Sequence, residues 1–302
     1  MAGDPVIIEV AISGSGARPN PHAPRTNEEI GRDALACIEA GAAIVHSHSD
    51  DVRLGGEAGA RRYADSWRDI FAARPDALVY PTVTIDGPDG DRLTHLPFLV
   101  REGLIRMAAF DPGTLNIGAA EEDGTPTADA LVYTNSYRDI DRAFAQMRDM
   151  GIGASLAIYE PGFLRATLAF HAAGKLPRGS LVKLYFGGDH NVRTGRRSGV
   201  TFGLPPTARA LDAYLEMLEG SDLPWGVAIF GGDLTRSDLA RLALERGGHL
   251  RVGLEDHMGD RTPSNAELVA EAAALCREVG RPVATIAQTR AILDIAESAT
   301  TA

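Results

Sequence analysis

The sequence of 302 residues predicts a (β/α)8 TIM barrel in a single domain, 1–302. Short apolar, β-branched segments alternate eight times with segments of helical period, and no linker, charge run or low-complexity stretch divides the chain. Alternating strands and helices favour a parallel sheet, and eight such units at this length favour a closed barrel. An open doubly wound sheet is the alternative. It would need a glycine-rich phosphate motif after the first strand, where Gly14-Ser15-Gly16 supplies only a fragment.

Each predicted strand is a run of apolar and β-branched residues that ends in turn or polar residues. The eight runs are 6–13, 42–48, 77–84, 105–111, 153–159, 181–186, 225–230 and 249–254. Pro81 lacks the N–H group that a central strand uses, so we expect the third strand to bulge or end there.

The helices between these strands are predicted from apolar periodicity and from the residues at their ends. Thr26 is a typical N-cap, and two glutamates follow it in the first turn of a helix that stops at Gly41. The predicted helices are 26–40, 58–73, 137–150, 161–173, 205–218, 237–246 and 265–279. Residues 298–302 are expected to form a frayed tail.

The composition excludes several classes of protein. Lys and Arg number 30 against 41 Asp and Glu, so the net charge of −11 disfavours nucleic-acid binding. Cys37 and Cys276 are too few for a disulfide framework, and a reducing cytoplasm is the expected location. No signal-peptide pattern and no apolar run near the roughly 20 residues of a membrane span occur in the sequence.

Two histidines end the second predicted strand. His46 and His48 are two residues apart, so on a strand their imidazoles point to the same face. Such a pair is typical of a divalent metal site, and Zn²⁺ is the usual ion. The alternative is a pair of hydrogen-bonded core histidines, and only a third ligand from elsewhere in the chain would decide between the two.

Polar residues also end the other predicted strands. They are Ser13 and Ser15, Thr82 and Thr84, Asp111, Thr114 and Asn116, Glu160, Asp189 and His190, Asp233, and Arg251, Glu255 and Asp256. Because the active site of a barrel lies at the C-terminal ends of its strands, Glu255 is expected close to His46 and His48. Two histidines and one carboxylate are the ligand set of a catalytic zinc site. Helix capping by the acids, or a plain ion pair with Arg251, is the alternative interpretation.

Two further features point to an anionic ligand. The sequence Phe-Gly-Gly-Asp follows two predicted strands and supplies Gly187, Gly188, Gly231 and Gly232, which either form tight turns or let backbone N–H groups approach a phosphate. The loop 189–204 carries Arg193, Arg196 and Arg197 in an otherwise acidic protein. A solvated surface loop is the alternative. If the ligand is a coenzyme A thioester, we expect its phosphates at this loop.

Taken together, the motifs resemble the β-keto acid cleavage enzyme family over nearly the whole length of the chain. Thr26 to Ile30 is similar to the T-P-E-E-I helix start of the family, and 39–42 followed by His46 and His48 to its E-A-G-A and H-x-H motifs. The other matching segments are 114–116, 247–256, 264–269 and 280–285. Segment 247–256, with the sequence GGHLRVGLED, is the most specific of them.

The resemblance implies a zinc-binding (β/α)8 barrel that forms homo-oligomers, dimers or tetramers, and transfers an acyl fragment of a β-keto acid to acetyl-CoA with release of acetoacetate. It implies His46, His48 and Glu255 as zinc ligands. Asp256, oriented by Arg251 and by Thr82 in place of the usual Ser, would be the base that generates a zinc-stabilised enolate for Claisen and retro-Claisen steps. The expected substrate contacts are Ser13, Thr84, Thr114, Asn116 and Glu160.

The sequence departs from the family pattern at three places. Asp50 replaces an Arg that often follows the histidine pair, Gly16 replaces a Glu found in 3-keto-5-aminohexanoate cleavage enzyme, and His257 replaces a common Asn. We therefore expect the family chemistry on a different β-keto acid. A zinc hydrolase or C–C lyase that does not use coenzyme A is the second hypothesis. A barrel that serves only as a binding module is the third, and the intact metal and base residues argue against it.

Overall fold

The structure, a computed structural model, describes residues 3–14, 19–84, 91–128, 131–192 and 194–295. The predictions for Ser15, Gly16, Arg193 and the tail 298–302 lie outside these residues. Within them, none of the helices combines the length and the apolar character that a membrane span requires.

Eight parallel strands form a nearly closed barrel with helices between them, which confirms the predicted fold class. The strands are β1 (Ile8–Ala11), β2 (Ile44–Ser47), β3 (Val79–Pro81), β4 (Met107–Phe110), β5 (Leu115–Ile117), β6 (Leu131–Tyr133), β7 (Gly153–Ile158), β8 (Leu181–Gly187), β9 (Trp225–Phe230) and β10 (His249–Val252). The barrel order is β3-β2-β1-β10-β9-β8-β7-β4, and the antiparallel pair β5–β6 stands apart from it. Strands β3 and β4 contact each other across the last gap.

The helices cover the outside of the barrel. They are α1 (Asn27–Ala40), α2 (Gly56–Ala73), α3 (Leu96–Arg101), α4 (Tyr137–Met150), α5 (Pro161–Ala172), α6 (Ala208–Leu218), α7 (Asp238–Glu245), α8 (Asn265–Val279) and α9 (Ile286–Leu293). Thr26 caps α1 as predicted, in a reciprocal capping box with Glu29. An apolar layer between helices and sheet forms the main core.

The differences from the predicted elements have local causes. Strand β3 is shorter than predicted and ends at Pro81, as expected for a residue without an N–H group. Helix α6 begins at Ala208 because Thr207, and not a proline, caps its first turn. The short helix α3, the hairpin strands β5 and β6 and the last helix α9 were not predicted. Elements of three to eight residues carry little periodicity.

The inner face of the barrel is polar at its centre. Alternation along the strands turns Glu9, Tyr80, Ser155, Lys183 and Arg251 inward, each from a different strand. All five are buried, with Glu9 only 1% and Arg251 only 4% exposed. Buried charges are costly unless they are paired, so this arrangement must be satisfied internally. It forms the floor beneath the C-terminal mouth of the barrel.

Candidate metal centre and active site

The structure brings the histidine pair and the predicted third ligand together at the C-terminal mouth of the barrel. His46 Nε2 lies 3.2 Å from Glu255 Oε2, and His48 Nε2 lies 3.1 Å from Glu255 Oε1. One potential ligand atom from each residue falls within 4.8 Å of the other two. The three side chains therefore face a common point, with two imidazole nitrogens and one carboxylate as donors.

The chain after β10 is folded tightly to deliver Glu255 to this point. Strand β1 lies between β2 and β10, so Glu255 must reach across the end of β1. Its backbone N–H donates to the Ala11 carbonyl at 3.1 Å. Gly253 makes the crossing possible, because its φ of 131° disfavours side chains and a Cβ there would lie 2.2 Å from the same carbonyl oxygen.

The protonation state of His46 fits a metal ligand. Its Nδ1 lies 3.3 Å from the Tyr80 carbonyl oxygen, an acceptor that fixes the proton on Nδ1. Burial lowers the pKa of His46 to about 4, so the imidazole is neutral near pH 7. The lone pair of Nε2 then faces an oxygen of Glu255, an arrangement that is repulsive until a cation lies between them. A backbone acceptor on the second ring nitrogen is the usual support of a ligating histidine.

A single guanidinium connects the candidate metal ligand to the predicted base. Arg251 Nη2 donates to Glu255 Oε2 at 3.1 Å, and Arg251 Nε donates to Asp256 Oδ2 at 2.8 Å. Burial alone would raise the pKa of Glu255, but His48, His46 and Arg251 hold it well below its ordinary value. Glu255 is therefore a carboxylate, the form that binds a divalent cation.

Asp256 is buried beside this guanidinium. Burial raises the pKa of its carboxyl, and the attraction to Arg251 opposes the rise. Its hydrogen bonds come from Arg251 and, at 3.5 Å, from the Tyr185 hydroxyl. Thr82 is half-buried directly after β3. The orienting role predicted for Thr82 stays a prediction, since Arg251 and Tyr185 supply the contacts to Asp256 among the described residues.

A buried network that the sequence did not reveal lies under Asp256. Arg251 Nη1 donates to Glu9 Oε1 at 2.6 Å, and the Tyr80 hydroxyl donates to the same oxygen at 2.6 Å. Lys183 Nζ donates to Glu9 Oε1 at 3.2 Å and to the Tyr80 hydroxyl at 3.0 Å. Ser155 Oγ completes the network with a 2.9 Å bond to the Tyr80 hydroxyl. In the sequence, the available signal for this network is a charged residue, Glu9 or Lys183, within an apolar strand run.

The opposite side of the mouth is aromatic. Tyr159 follows β7, Tyr185 lies in β8, Phe230 ends β9, and Phe202 comes from the loop after β8. The Tyr159 ring lies 4.7 Å from the Tyr185 ring and 5.5 Å from the Phe202 ring, measured between centroids. Phe202 and Phe230 are also 5.5 Å apart. We call these four residues the aromatic wall. The aromatic wall reaches the candidate base Asp256 through the Tyr185 hydroxyl.

The predicted substrate contacts are spread around the mouth. Ser13 Oγ accepts the His48 N–H at 3.1 Å, and Glu160 Oε1 accepts the Gly203 N–H at 3.0 Å. Thr114 Oγ1 donates to the Asn135 carbonyl at 3.1 Å. Asn116 is exposed on β5. The buried Thr84 hydroxyl has no hydrogen-bond partner among the described residues. Their roles toward substrate stay predictions.

The glycine pairs are explained by packing. A Cβ at Gly188 would lie 2.3 Å from the Gly231 carbonyl oxygen, and one at Gly187 would lie 2.6 Å from the Phe202 carbonyl oxygen. Gly231 also donates its N–H to the Asp256 carbonyl at 2.8 Å. A cavity of about 430 Å³ adjoins Gly188 and Gly232. Close contact with backbone, or with the Ile229 side chain at Gly232, thus accounts for these glycines, and a phosphate contact stays a prediction.

Two of the three arginines predicted to bind coenzyme A, Arg196 and Arg197, are on the surface. Arg196 pairs with Glu122 at 2.6 Å, and Arg197 pairs with Asp189 at 3.1 Å. Both side chains are largely exposed and border a cavity of about 370 Å³. A phosphate there would compete with two carboxylates. Binding of coenzyme A by this loop stays a prediction.

Two of the departures from the family pattern pair with residues outside the candidate metal centre. Asp50 is exposed, and its carboxylate lies 3.5 Å from Arg62 Nη1. His257 is buried, with Nε2 3.4 Å from Asp233 Oδ2. Among the described residues, neither Asp50 nor His257 forms an ion pair with His46 or Glu255. These two departures therefore leave the proposed ligand set intact.

Comparison with known proteins gives matches over nearly the whole chain. The model of the β-keto acid cleavage enzyme family matches residues 5–295. The 3-oxoadipate:acetyl-CoA acetyltransferase of Cupriavidus necator is 32% identical over 96% of this chain and 95% of its own length. The 3-keto-5-aminohexanoate cleavage enzyme of Acetoanaerobium sticklandii is 28% identical over 97% of this chain and 99% of its own.

Solved structures show the fold. Apo ObcA is similar with a TM-score of 0.67 at 18% identity, over 91% of this chain and 66% of the ObcA chain. A dihydropteroate synthase of Yersinia pestis is similar with a TM-score of 0.52 at 12% identity, over 91% of this chain and 92% of its own. At these identities the likeness concerns the barrel alone.

Proposed function

The chain belongs to the β-keto acid cleavage enzyme family, and on this premise we propose that it is a zinc-dependent β-keto acid:acetyl-CoA acyltransferase. The family and the names of two relatives that use acetyl-CoA or cleave a keto acid support the reaction type. One structural observation carries the proposal for this chain. A single buried guanidinium, Arg251, hydrogen-bonds both the candidate metal ligand Glu255 and the candidate base Asp256.

His46, His48 and Glu255 would hold the cation, because they offer imidazole and carboxylate donors that converge on one point. Zinc bound there would act as a Lewis acid toward the keto oxygen of the substrate. The donor set suits zinc, with two nitrogen ligands and one oxygen ligand. Ser13 helps to fix the backbone of His48, because its Oγ accepts a hydrogen bond from the His48 N–H.

Asp256 would take a proton from C2 of the β-keto acid. Its Oδ2 is held by Arg251 Nε at 2.8 Å, which fixes the carboxylate, and the other oxygen would accept the proton. C2 would then form a bond to the carbonyl carbon of acetyl-CoA, and the coenzyme A thiolate would leave. The guanidinium beside Asp256 stabilises the negative charge that moves through this part of the site.

The reaction would be completed by return of the thiolate. Its sulfur would attack the original keto carbon, the bond between that carbon and C2 would break, and its electron pair would pass to C2. The proton on Asp256 would return to give acetoacetate. The sum is one β-keto acid plus acetyl-CoA giving one new acyl-CoA plus acetoacetate, with no oxidant or water consumed.

The test is a substrate panel with purified, zinc-loaded protein. Acetoacetate release is measured from 3-oxoadipate, 3-keto-5-aminohexanoate, 3-dehydrocarnitine and uncharged β-keto acids, each with and without acetyl-CoA. We expect acetoacetate and a new acyl-CoA in equal amounts, and only when acetyl-CoA is present. Turnover of any substrate with water alone would instead favour a hydrolase or C–C lyase, and the acyl-transfer proposal would be abandoned.

A further inference from the structure

We propose that Glu9 is a positioning residue that sets the orientation of Arg251 and, through it, the metal affinity of Glu255 and the reactivity of Asp256. The inference rests on the proposed function for the roles of Glu255 and Asp256. It goes beyond that function, because Glu9 lies below the mouth of the barrel and hydrogen-bonds to neither of these two residues.

The contacts of Arg251 show which partner controls its orientation. Its guanidinium meets three carboxylates on three different nitrogens, Glu9 at Nη1, Glu255 at Nη2 and Asp256 at Nε. The bond to Glu9, at 2.6 Å, is shorter than the bonds to Asp256 at 2.8 Å and Glu255 at 3.1 Å. A planar guanidinium with three separate anchors has one orientation, and the interior carboxylate is the closest of them.

Glu9 is itself held in place. Its Oε1 accepts hydrogen bonds from the Tyr80 hydroxyl at 2.6 Å and from Lys183 Nζ at 3.2 Å, besides the one from Arg251. Burial would raise its pKa, but Lys183, Arg251 and Tyr80 lower it to about 2. The carboxylate is therefore an ionised anchor, 1% exposed and fixed by three donors.

Removing this charge would change the pairing of Arg251. Arginine and carboxylate groups prefer a two-bond fork, which is stronger than single contacts. Without Glu9, Arg251 Nη1 keeps only its 3.2 Å bond to the Tyr80 hydroxyl among the described residues, so the guanidinium can turn toward such a fork with Glu255 or Asp256. A fork on Glu255 would compete with the cation for its oxygens, and a fork on Asp256 would occupy the oxygen that accepts the proton. Glu9 keeps Arg251 to one bond with each.

Glu9 also balances the buried charge of Lys183, and a variant must separate this structural role from positioning. Glu9→Gln removes the anion at nearly constant shape. In the double variant Glu9→Gln with Lys183→Met, the unpaired cation is removed as well, so the cost of a buried charge disappears while Arg251 still lacks its anchor. Asp33→Asn, a carboxyl-to-amide change between α1 and α8, is the matched control.

The experiment measures the zinc Kd by competition with a chromogenic chelator, the Tm of the metal-free protein, and kcat and KM for acetoacetate release. For Glu9→Gln we expect the zinc Kd to weaken by about 10-fold or more and kcat to fall by about 10- to 100-fold. The KM for acetyl-CoA should stay near its wild-type value. Asp33→Asn should bind zinc as the wild type does.

The double variant decides the interpretation. We expect it to regain the Tm lost in Glu9→Gln while its zinc Kd and kcat remain impaired, and it carries the test alone if Glu9→Gln does not fold. Recovery of zinc Kd and kcat in the double variant would mean that Glu9 acts only by charge balance, which overturns the proposal. A wild-type zinc Kd in folded Glu9→Gln would overturn it as well. If the wild type released no acetoacetate, the proposed function would fail, while the zinc Kd values would still test the position of Arg251.

Discussion

The two sides of the barrel mouth differ in the kind of side chain that they present. The side formed by β10, β1 and β2 carries the ionisable groups His46, Glu255 and Asp256. The Tyr80 carbonyl holds His46, and Arg251 holds the two carboxylates. The side formed by β7, β8 and β9 carries the aromatic wall, whose rings pack mainly on each other. Charged groups in fixed positions suit bond making and breaking, and apolar rings suit the choice of acyl chain.

The difference follows from what each side must satisfy. A buried carboxylate needs several donors, so the polar side is rigid and a change at one residue spreads to its partners. An aromatic ring needs only contact area, so the wall tolerates exchange at a modest cost. We therefore expect substitutions on the polar side to act on metal and kcat, and substitutions in the aromatic wall to act on the KM of the keto acid.

The largest expected effect is the loss of a metal ligand. His46→Ala should abolish stoichiometric zinc binding and lower kcat/KM by on the order of 10³ or more, because Lewis-acid catalysis is worth several kcal/mol. Zinc is measured by inductively coupled plasma analysis after dialysis. His95→Ala is the matched control, since His95 is also buried, also stacks on a tyrosine, and also has its pKa lowered to about 4 by burial. Full zinc occupancy in His46→Ala would remove this residue from the ligand set.

Asp256→Asn should separate the base from the metal. The amide oxygen still accepts from Arg251 Nε, so zinc should stay bound at one equivalent, whereas kcat should fall by about 10²- to 10⁴-fold because a proton acceptor is lost. Single-turnover acetoacetate formation measures the change. An unchanged rate would assign the base to another residue, and a loss of zinc would show that Asp256 belongs to the ligand set.

The polar side was only partly predictable from the sequence. His46, His48 and Glu255 could be brought together because parallel strands present their C-terminal ends at one mouth, so that strand-end position alone predicts proximity. Glu9 and Lys183 could not, although each interrupts an apolar run. Their bond joins residues 174 positions apart across the barrel, and a charge on a strand is equally compatible with a face toward solvent.

The arginine loop, 189–204, shows a limit of the opposite kind: its sequence pattern is clear, but the partners of its charges depend on the fold. Its composition predicts an anion site, but the charges of Arg196 and Arg197 are already paired with Glu122 and Asp189. Glu122 is 74 residues away from Arg196 in sequence, so the pairing depends on tertiary structure.

The barrel strands were predictable because continuous apolar runs are strong signals, whereas the three-residue strands β5 and β6 carry too little pattern.

A smaller effect is expected in the aromatic wall. Phe202→Leu removes the ring that contacts Tyr159 and Phe230 but keeps an apolar side chain. We expect the KM of the keto acid to change by about 2- to 10-fold, with zinc Kd unaltered and kcat nearly so, because an aromatic contact is worth about 0.5 to 1.5 kcal/mol. Phe144→Leu, in the outer core against Phe110 and Phe170, is the control that should lower Tm alone. A change in zinc Kd in Phe202→Leu would contradict the division between the two sides.

The smallest effect on the site is expected for a change at Asp33, a carboxyl outside the barrel. The pH dependence of this variant also tests why Glu9 is ionised. Burial raises the pKa of Asp33 to about 6, against 3.8 ordinarily, because its nearest partner is the neutral amide of Asn265 at 2.6 Å and not a pair of cations. Between these two pH values the folded state binds more protons than the unfolded state, so the free energy of unfolding decreases as pH rises from about 4 to about 6 and is level above.

Asp33→Asn should lack this decrease. The stability difference between Asp33→Asn and the wild type should grow by about 2 to 3 kcal/mol over that pH interval, measured by urea unfolding at several pH values. Glu9 is buried too, yet its pKa is lowered from the ordinary 4.5 to about 2. For Glu9, the free energy of unfolding therefore increases as pH rises from about 2 to about 4.5. Opposite slopes for two buried carboxyls would show that paired cations, and not burial alone, keep Glu9 charged beneath the polar side. A flat difference curve for Asp33→Asn would contradict that reasoning.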